Sequence, residues 1–205
     1  MSNLELTSHN QVLVQQVREV AELFGFETRN KYQIMDASRQ PIAFAAEEGQ
    51  GIFSFIMRQY LGHWRTFSVH FMGPDGRALF TAHHPFRFFF QRIEVRDING
   101  RFLGAIEKRF SIFSKKFDVY NERGLPVMQV SSPIWRIWNF TFVKMGRPVA
   151  TINKKWSGLF SEIFTDKDNF VIDFADPTMA ANERLLILAS SIFIDLLYFE
   201  QKAGR

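Results

Sequence analysis

The stretch Leu185-Leu186-Ile187-Leu188-Ala189-Ser190-Ser191-Ile192-Phe193-Ile194-Asp195-Leu196-Leu197-Tyr198-Phe199 decides the fold. A helix on a protein surface carries one apolar stripe, and this one has no polar face. It is therefore buried, in protein or in lipid. At 1.5 Å per residue it spans about 22 Å, while a bilayer core is about 30 Å thick and takes about 20 apolar residues. Asp195 interrupts the run and costs roughly 3 kcal/mol at mid-bilayer, where each Leu, Ile or Phe returns only about 0.3–0.6 kcal/mol. Inside a protein the same side chains give about 1.5–3 kcal/mol each. The comparison favours a central core helix, with Leu185, Leu188, Ile192, Phe193, Asp195 and Leu196 as its key positions. A single membrane span is the alternative. In a core, Asp195 requires a cation, backbone N–H donors or a place near a rim, because a buried unpaired carboxylate is costly.

The sequence before this helix reads as strands. Turn signals recur at Asp36–Pro41, Gly73–Gly76, Asp97–Gly100, Asn121–Gly124, Lys144–Pro148 and Asp166–Asn169. Short runs with alternating apolar residues flank them, such as Phe67, Val69, Phe71 and Phe117, Val119. This is the pattern of serial hairpins. Both arms of each hairpin together make about a dozen strands, which curl or close rather than stay an open sheet. Closure also removes exposed edges. The expected fold is mainly β: a closed antiparallel barrel of about twelve strands around the C-terminal helix. Near the start, Leu13, Val17, Val20, Ala21 and Phe24 follow helical spacing and Gly25 ends it, which predicts an amphipathic helix over 10–24. The expected organisation is one domain, with the barrel over 31–175 and the central helix over 183–200.

Composition narrows the function classes. The 205 residues suffice for one large core, and the 24 phenylalanines are many for such a chain. Net charge is +4, with 21 acidic residues diluting 25 basic ones. That excess is a weak pointer to anionic lipid or nucleic acid. With no cysteine there is no disulfide, thiolate metal site or S-acylation. The opening Met1-Ser2-Asn3-Leu4-Glu5-Leu6 has neither a basic n-region nor an apolar h-region. The expected location is the cytoplasm, peripheral at a membrane.

Three blocks carry a family resemblance. Gly25-Phe26-Glu27-Thr28-Arg29-Asn30-Lys31-Tyr32-Gln33-Ile34, continuing to Phe44-Ala45-Ala46-Glu47-Glu48, resembles the opening motif of phospholipid scramblases. Trp156-Ser157-Gly158 with Phe164-Thr165-Asp166-Lys167-Asp168-Asn169-Phe170 resembles their late motif. Phe193-Ile194-Asp195 with Tyr198-Phe199-Glu200 resembles their closing helix. The match runs from about Val12 to Glu200. The family is similar in fold to the Tubby C-terminal domain, a barrel threaded by a hydrophobic helix. The resemblance implies ATP-independent, calcium-stimulated movement of phospholipids between leaflets. The Tubby relatives imply another reading, a soluble barrel that binds phosphoinositides and tethers to membranes.

The resemblance also places calcium (Ca2+) at a segment opening with Asp166, Asp168 and Asn169, to which this chain's own Asp173 adds a carboxylate. The far end departs from the family, with Pro177 where an acidic residue is expected. Calcium takes six to eight oxygen ligands, and an EF-hand loop needs Gly and Glu where this chain has Val171 and Pro177. Physically, Asp-x-Asp-Asn entering an alternating strand is also an ordinary hairpin turn.

Where animal members carry lipidated cysteines, this chain has aromatic clusters: Phe53, Phe55 and Trp64; Phe88, Phe89 and Phe90; Trp135 and Trp138. Arg58, Arg87, Arg92 and Arg136 flank them. Aromatic rings beside arginines suit the headgroup layer. Alternatively, they are strand residues whose alternate members face the core, although Phe88, Phe89 and Phe90 cannot all do so. The lysine doublets Lys115-Lys116 and Lys154-Lys155 read as solvated strand ends, with anionic headgroups as the second reading.

No P-loop, nucleophile elbow, dinucleotide fingerprint or H-E-x-x-H occurs, and His83-His84 lacks metal-pair spacing. Covalent catalysis and nucleic-acid binding are not expected. Three functions stay open: a scramblase, possible as an oligomer; a peripheral module binding anionic headgroups; and a protein-interaction scaffold.

Overall fold

The computed structural model describes residues 4–17, 28–49, 66–87, 89–133, 139–155 and 169–198. Twelve antiparallel strands close into a barrel. They are β1 (Gln11–Val17), β2 (Thr28–Asp36), β3 (Pro41–Glu48), β4 (Phe67–Met72), β5 (Ala78–His84) and β6 (Arg92–Asp97), followed by β7 (Phe102–Arg109), β8 (Ser114–Tyr120), β9 (Pro126–Pro133), β10 (Asn139–Lys144), β11 (Arg147–Lys155) and β12 (Asn169–Phe174). Each strand pairs with its sequence neighbours, and β1 closes the ring on β12 through Val12 opposite Ile172 and Val14 opposite Phe170.

Where the expected helix over 10–24 is described it is replaced by strand: Gln11–Val17 is β1. Val12 and Val14 point inward with no exposed surface, and β1 bonds to strands on both sides. That two-sided ladder outweighs a local helical spacing. Val20, Ala21 and Phe24 lie outside the described residues. The barrel therefore starts at Gln11, not at 31.

Period-2 alternation supplies the wall. Val69 and Phe71, Ile93 and Val95, Phe117 and Val119, and Phe140 and Phe142 all face the lumen, buried. Three hairpin turns share one device: the side chain of Asp36, Asp97 or Asn121 accepts the backbone N–H of Gln40, Arg101 or Leu125. The N–H groups of Arg101 and Asn99 hold the Asp97 carboxyl below the usual carboxylate range.

One helix, α1 (Ala181–Tyr198), fills the lumen, with Glu183 to Leu197 buried. Its 18 residues make a rod of about 27 Å. Leu188 and Phe193 have no exposed surface. Ser190 and Ser191 satisfy their hydroxyls by donating to the Leu186 and Leu188 carbonyls, both at 2.7 Å. At the first turn, the Ala180 N–H donates to Glu183, and Lys144 Nζ lies 2.7 Å from Glu183 Oε1. Gly104 on β7, at φ 150, gives the helix room: a Cβ there would meet the Tyr120 carbonyl and stand 2.8 Å from Leu186 Cδ1.

Arg184, fully buried, ties this end together. Its guanidinium donates to the carbonyls of Leu6, His9, Asp176 and Pro177, and lies 4.6 Å over the Phe174 ring. Both the chain entering β1 and the chain leaving β12 are thereby fastened to the helix.

Candidate functional site

Antiparallel order sorts the connections between two rims. The tight turns after β2, β4, β6, β8 and β10 share one rim with the start of α1. At the other rim lie the strand ends Glu48 and Phe67, His84 and Arg92, Arg109 and Ser114, Pro133 and Asn139, and Lys155 and Asn169. All three aromatic clusters singled out in the sequence fall between such ends. Phe53, Phe55, Arg58, Trp64, Phe88, Trp135, Arg136 and Trp138 themselves lie outside the described residues.

The described part of this rim is apolar. Phe89 is 80% exposed, and Phe86 and Phe90 are exposed beside it. Phe90 sits at φ 50, an uncommon conformation for a bulky residue. A second apolar loop, which the sequence reading missed, joins β7 to β8: Phe110, Ile112 and Phe113 are 78%, 66% and 75% exposed. Its signal was present, since Phe110-Ser111-Ile112-Phe113 is apolar where a connection is normally polar. Six of the nine large hydrophobics exposed among the described residues stand at this rim; Ile98, Leu125 and Met145 sit singly in turns at the other.

Two of the four arginines are described, and both are engaged on the outer wall. Arg92 meets Glu107 at 3.0 Å and Glu94 at 3.4 Å, and lies over the Tyr120 ring. Arg87 reaches the same Glu107 at 3.5 Å. Arg92 thus braces β6 against β7, and the more exposed Arg87 stands nearer the loop.

Inside this rim the lumen turns polar. Gln16 donates to Asn30 at 3.0 Å, and Asn30 donates to Glu47 at 2.7 Å. Asp195 has the partners its burial demands: the Tyr32 hydroxyl donates to it at 2.8 Å and Lys154 Nζ stands 3.5 Å away. Both side chains of that ion pair are nearly inaccessible to solvent. Lys154 is therefore not the solvated strand end expected from its doublet. It follows Ala150 and Ile152 on the inward face of β11, and lies 5.3 Å over the Phe170 ring. Lys115 also points inward, 4.1 Å over the Tyr198 ring, while Lys116 faces out.

Two of the four calcium candidates, Asn169 and Asp173, are described. Asp166 and Asp168 lie outside the described residues, and Asn169 opens β12. Asp173 is four residues further along that strand, about 13 Å away at 3.3 Å per residue. Its carboxylate accepts a 2.7 Å hydrogen bond from Gln11. Among the described residues no group of three His, Cys, Asp or Glu could hold a metal, and no helix is long and apolar enough to cross a membrane.

Comparison with known proteins adds the family. A family model described as Scramblase matches residues 2–201. Phospholipid scramblase 2 of Bos taurus is 31% identical over 98% of this chain and 72% of its own length. Phospholipid scramblase 2 of Homo sapiens is 28% identical over 96% of this chain and 69% of its own. A solved structure of an Arabidopsis thaliana protein covers 89% of this chain and 91% of its own at 12% identity, with a TM-score of 0.45.

Proposed function

This chain belongs to the scramblase family, and we propose that it works on phospholipid membranes, docking by its loop rim and promoting ATP-independent, calcium-stimulated movement of lipids between leaflets. One observation supports docking above the rest: exposed phenylalanines on two neighbouring loops at a single rim. Rings of this kind partition into the headgroup layer, and anionic headgroups complement the basic residues beside them. Shallow insertion crowds the facing leaflet and thins the bilayer locally, which lowers the barrier to headgroup passage. The helix does not enter the bilayer on this reading, because removing it would empty the barrel of its core. The calcium arm rests on the resemblance and on Asp166, Asp168 and Asn169, three oxygen-bearing side chains within four positions. Assembly of several copies on one membrane suits a locally thinned bilayer.

A second reading, membrane tethering without lipid movement, is favoured by the enclosure of α1. Reconstitution into vesicles with a leaflet-asymmetry assay separates the two. The expected result is calcium-dependent exchange of labelled lipid without ATP, weakened in Asp166→Asn/Asp168→Asn and abolished in Phe89→Ser/Phe113→Ser. Unchanged asymmetry at high protein density, with vesicle binding intact, leaves tethering alone. Failure to bind vesicles at all rejects both.

A further inference from the structure

At the loop rim, two lysines enter the barrel mouth from adjacent strands. Lys108 on β7 stands opposite the buried Phe117, and Lys115 on β8 stands opposite the buried Ser132. Their ammonium groups lie 5.4 Å and 4.1 Å from the centre of one ring, that of Tyr198 in the last turn of α1. Lys108 is half-buried and forms no ion pair among the described residues, and burial draws its ammonium below the usual lysine range. The Tyr198 hydroxyl is buried with no hydrogen-bond partner among the described residues. Burial also raises its pKa, so it keeps its proton and remains a donor. A desolvated cation with no carboxylate among the described residues, next to an O–H donor unused by them, is a place where an anion is stabilised.

The loop above this site indicates what kind of anion. Phe110, Ile112 and Phe113 belong to the connection between the two strands that carry the lysines, and all three are strongly exposed. A free phosphate has no use for them; a phosphate attached to hydrocarbon does. We propose that Lys108 and the Tyr198 hydroxyl bind the phosphate of an anionic phospholipid at the barrel mouth, while Phe110, Ile112 and Phe113 lie among its acyl chains. The proposal deepens the docking reading and rests on it. The competing role for the lysines is to offset the negative end of the helix, whose last turn holds no basic residue of its own.

The test is flotation of the full chain with vesicles of phosphatidylcholine alone or mixed with phosphatidylserine. Lys108→Met is expected to weaken binding to the mixed vesicles about fivefold and to leave phosphatidylcholine binding unchanged. Tyr198→Phe, which keeps the ring, should act in the same direction. Lys116→Met makes the same charge change on the outer face of the hairpin and should cost about twofold or less. Equal losses for Lys108→Met and Lys116→Met would mean diffuse surface charge, and would overturn the site. So would a lowered melting temperature in Lys108→Met with serine-lipid preference intact; in both cases wild-type flotation keeps the docking reading alive. If wild-type protein floats with neither vesicle, docking fails, and short-chain dihexanoyl phosphatidylserine then tests the site by NMR. Shifts at the Tyr198 ring and the Lys108 side chain support it, and their absence overturns it.

Discussion

Lys154 and Asp195 form a buried ion pair in the lumen. Two opposite charges and the Tyr32 hydroxyl meet in the buried, polar part of the lumen. Breaking a buried pair by removing one partner leaves a charge without compensation, which costs about 3–5 kcal/mol. Lys154→Met should destabilise by about that much in urea unfolding, and Lys154→Met/Asp195→Leu should recover most of it. A double variant as unstable as the single would show that the pair is not what Lys154 contributes. Gly104 poses the opposite problem, too little room. Gly104→Ala drives a methyl into the Tyr120 carbonyl and Leu186 at a φ that disfavours side chains. The expected cost is about 2–4 kcal/mol, read from the unfolding midpoint. The sequence stated that Asp195 needed a partner, because a carboxylate in a greasy run is conspicuous. It did not name Lys154, which lies 41 residues away and looks like one half of a surface doublet.

At the scale of elements, strands and central helix were legible where local pattern and tertiary role agree. Alternation at Phe67, Val69 and Phe71 means the same thing in a peptide as in a barrel wall, and a helix apolar all round can only be a plug or a span. The first strand was not legible, because Leu13 and Val17 keep helical spacing while Val12 and Val14 keep strand spacing. Only its long-range pairing with β12 decides between them. The apolar β7–β8 loop was overlooked because hairpin reading expects polar connections. Arg184 offers a test at this scale. It joins the segment before β1, the segment after β12 and the helix through four carbonyls. Arg184→Met should cost about 2–4 kcal/mol and speed amide exchange in β1 and β12 more than in β6 and β7. Uniform loss of protection around the barrel would refute a local clasp.

For the molecule as a whole, the barrel has unlike ends: one with tight turns, the other with long connections and exposed rings. This asymmetry predicts a single orientation on a bilayer. A spin label at Met145, in the β10–β11 turn and 94% exposed, should stay in water on vesicles, whereas one at Phe113 should enter the acyl region. Amides of α1 from Leu185 to Leu197 should exchange as slowly in the bound state as in the free one. Rapid exchange on membranes would mean that the helix leaves its sheath, and would return the single-span alternative.

The enclosed helix follows all twelve strands in the chain. A ribosome therefore makes the wall before it makes the filling. Until Leu197 has emerged, the inward faces of a dozen strands have nothing to close upon, so assembly of this protein is a late, largely all-or-none event. A chain halted before Ala181 would be a sticky sheet in need of a chaperone rather than a smaller working barrel.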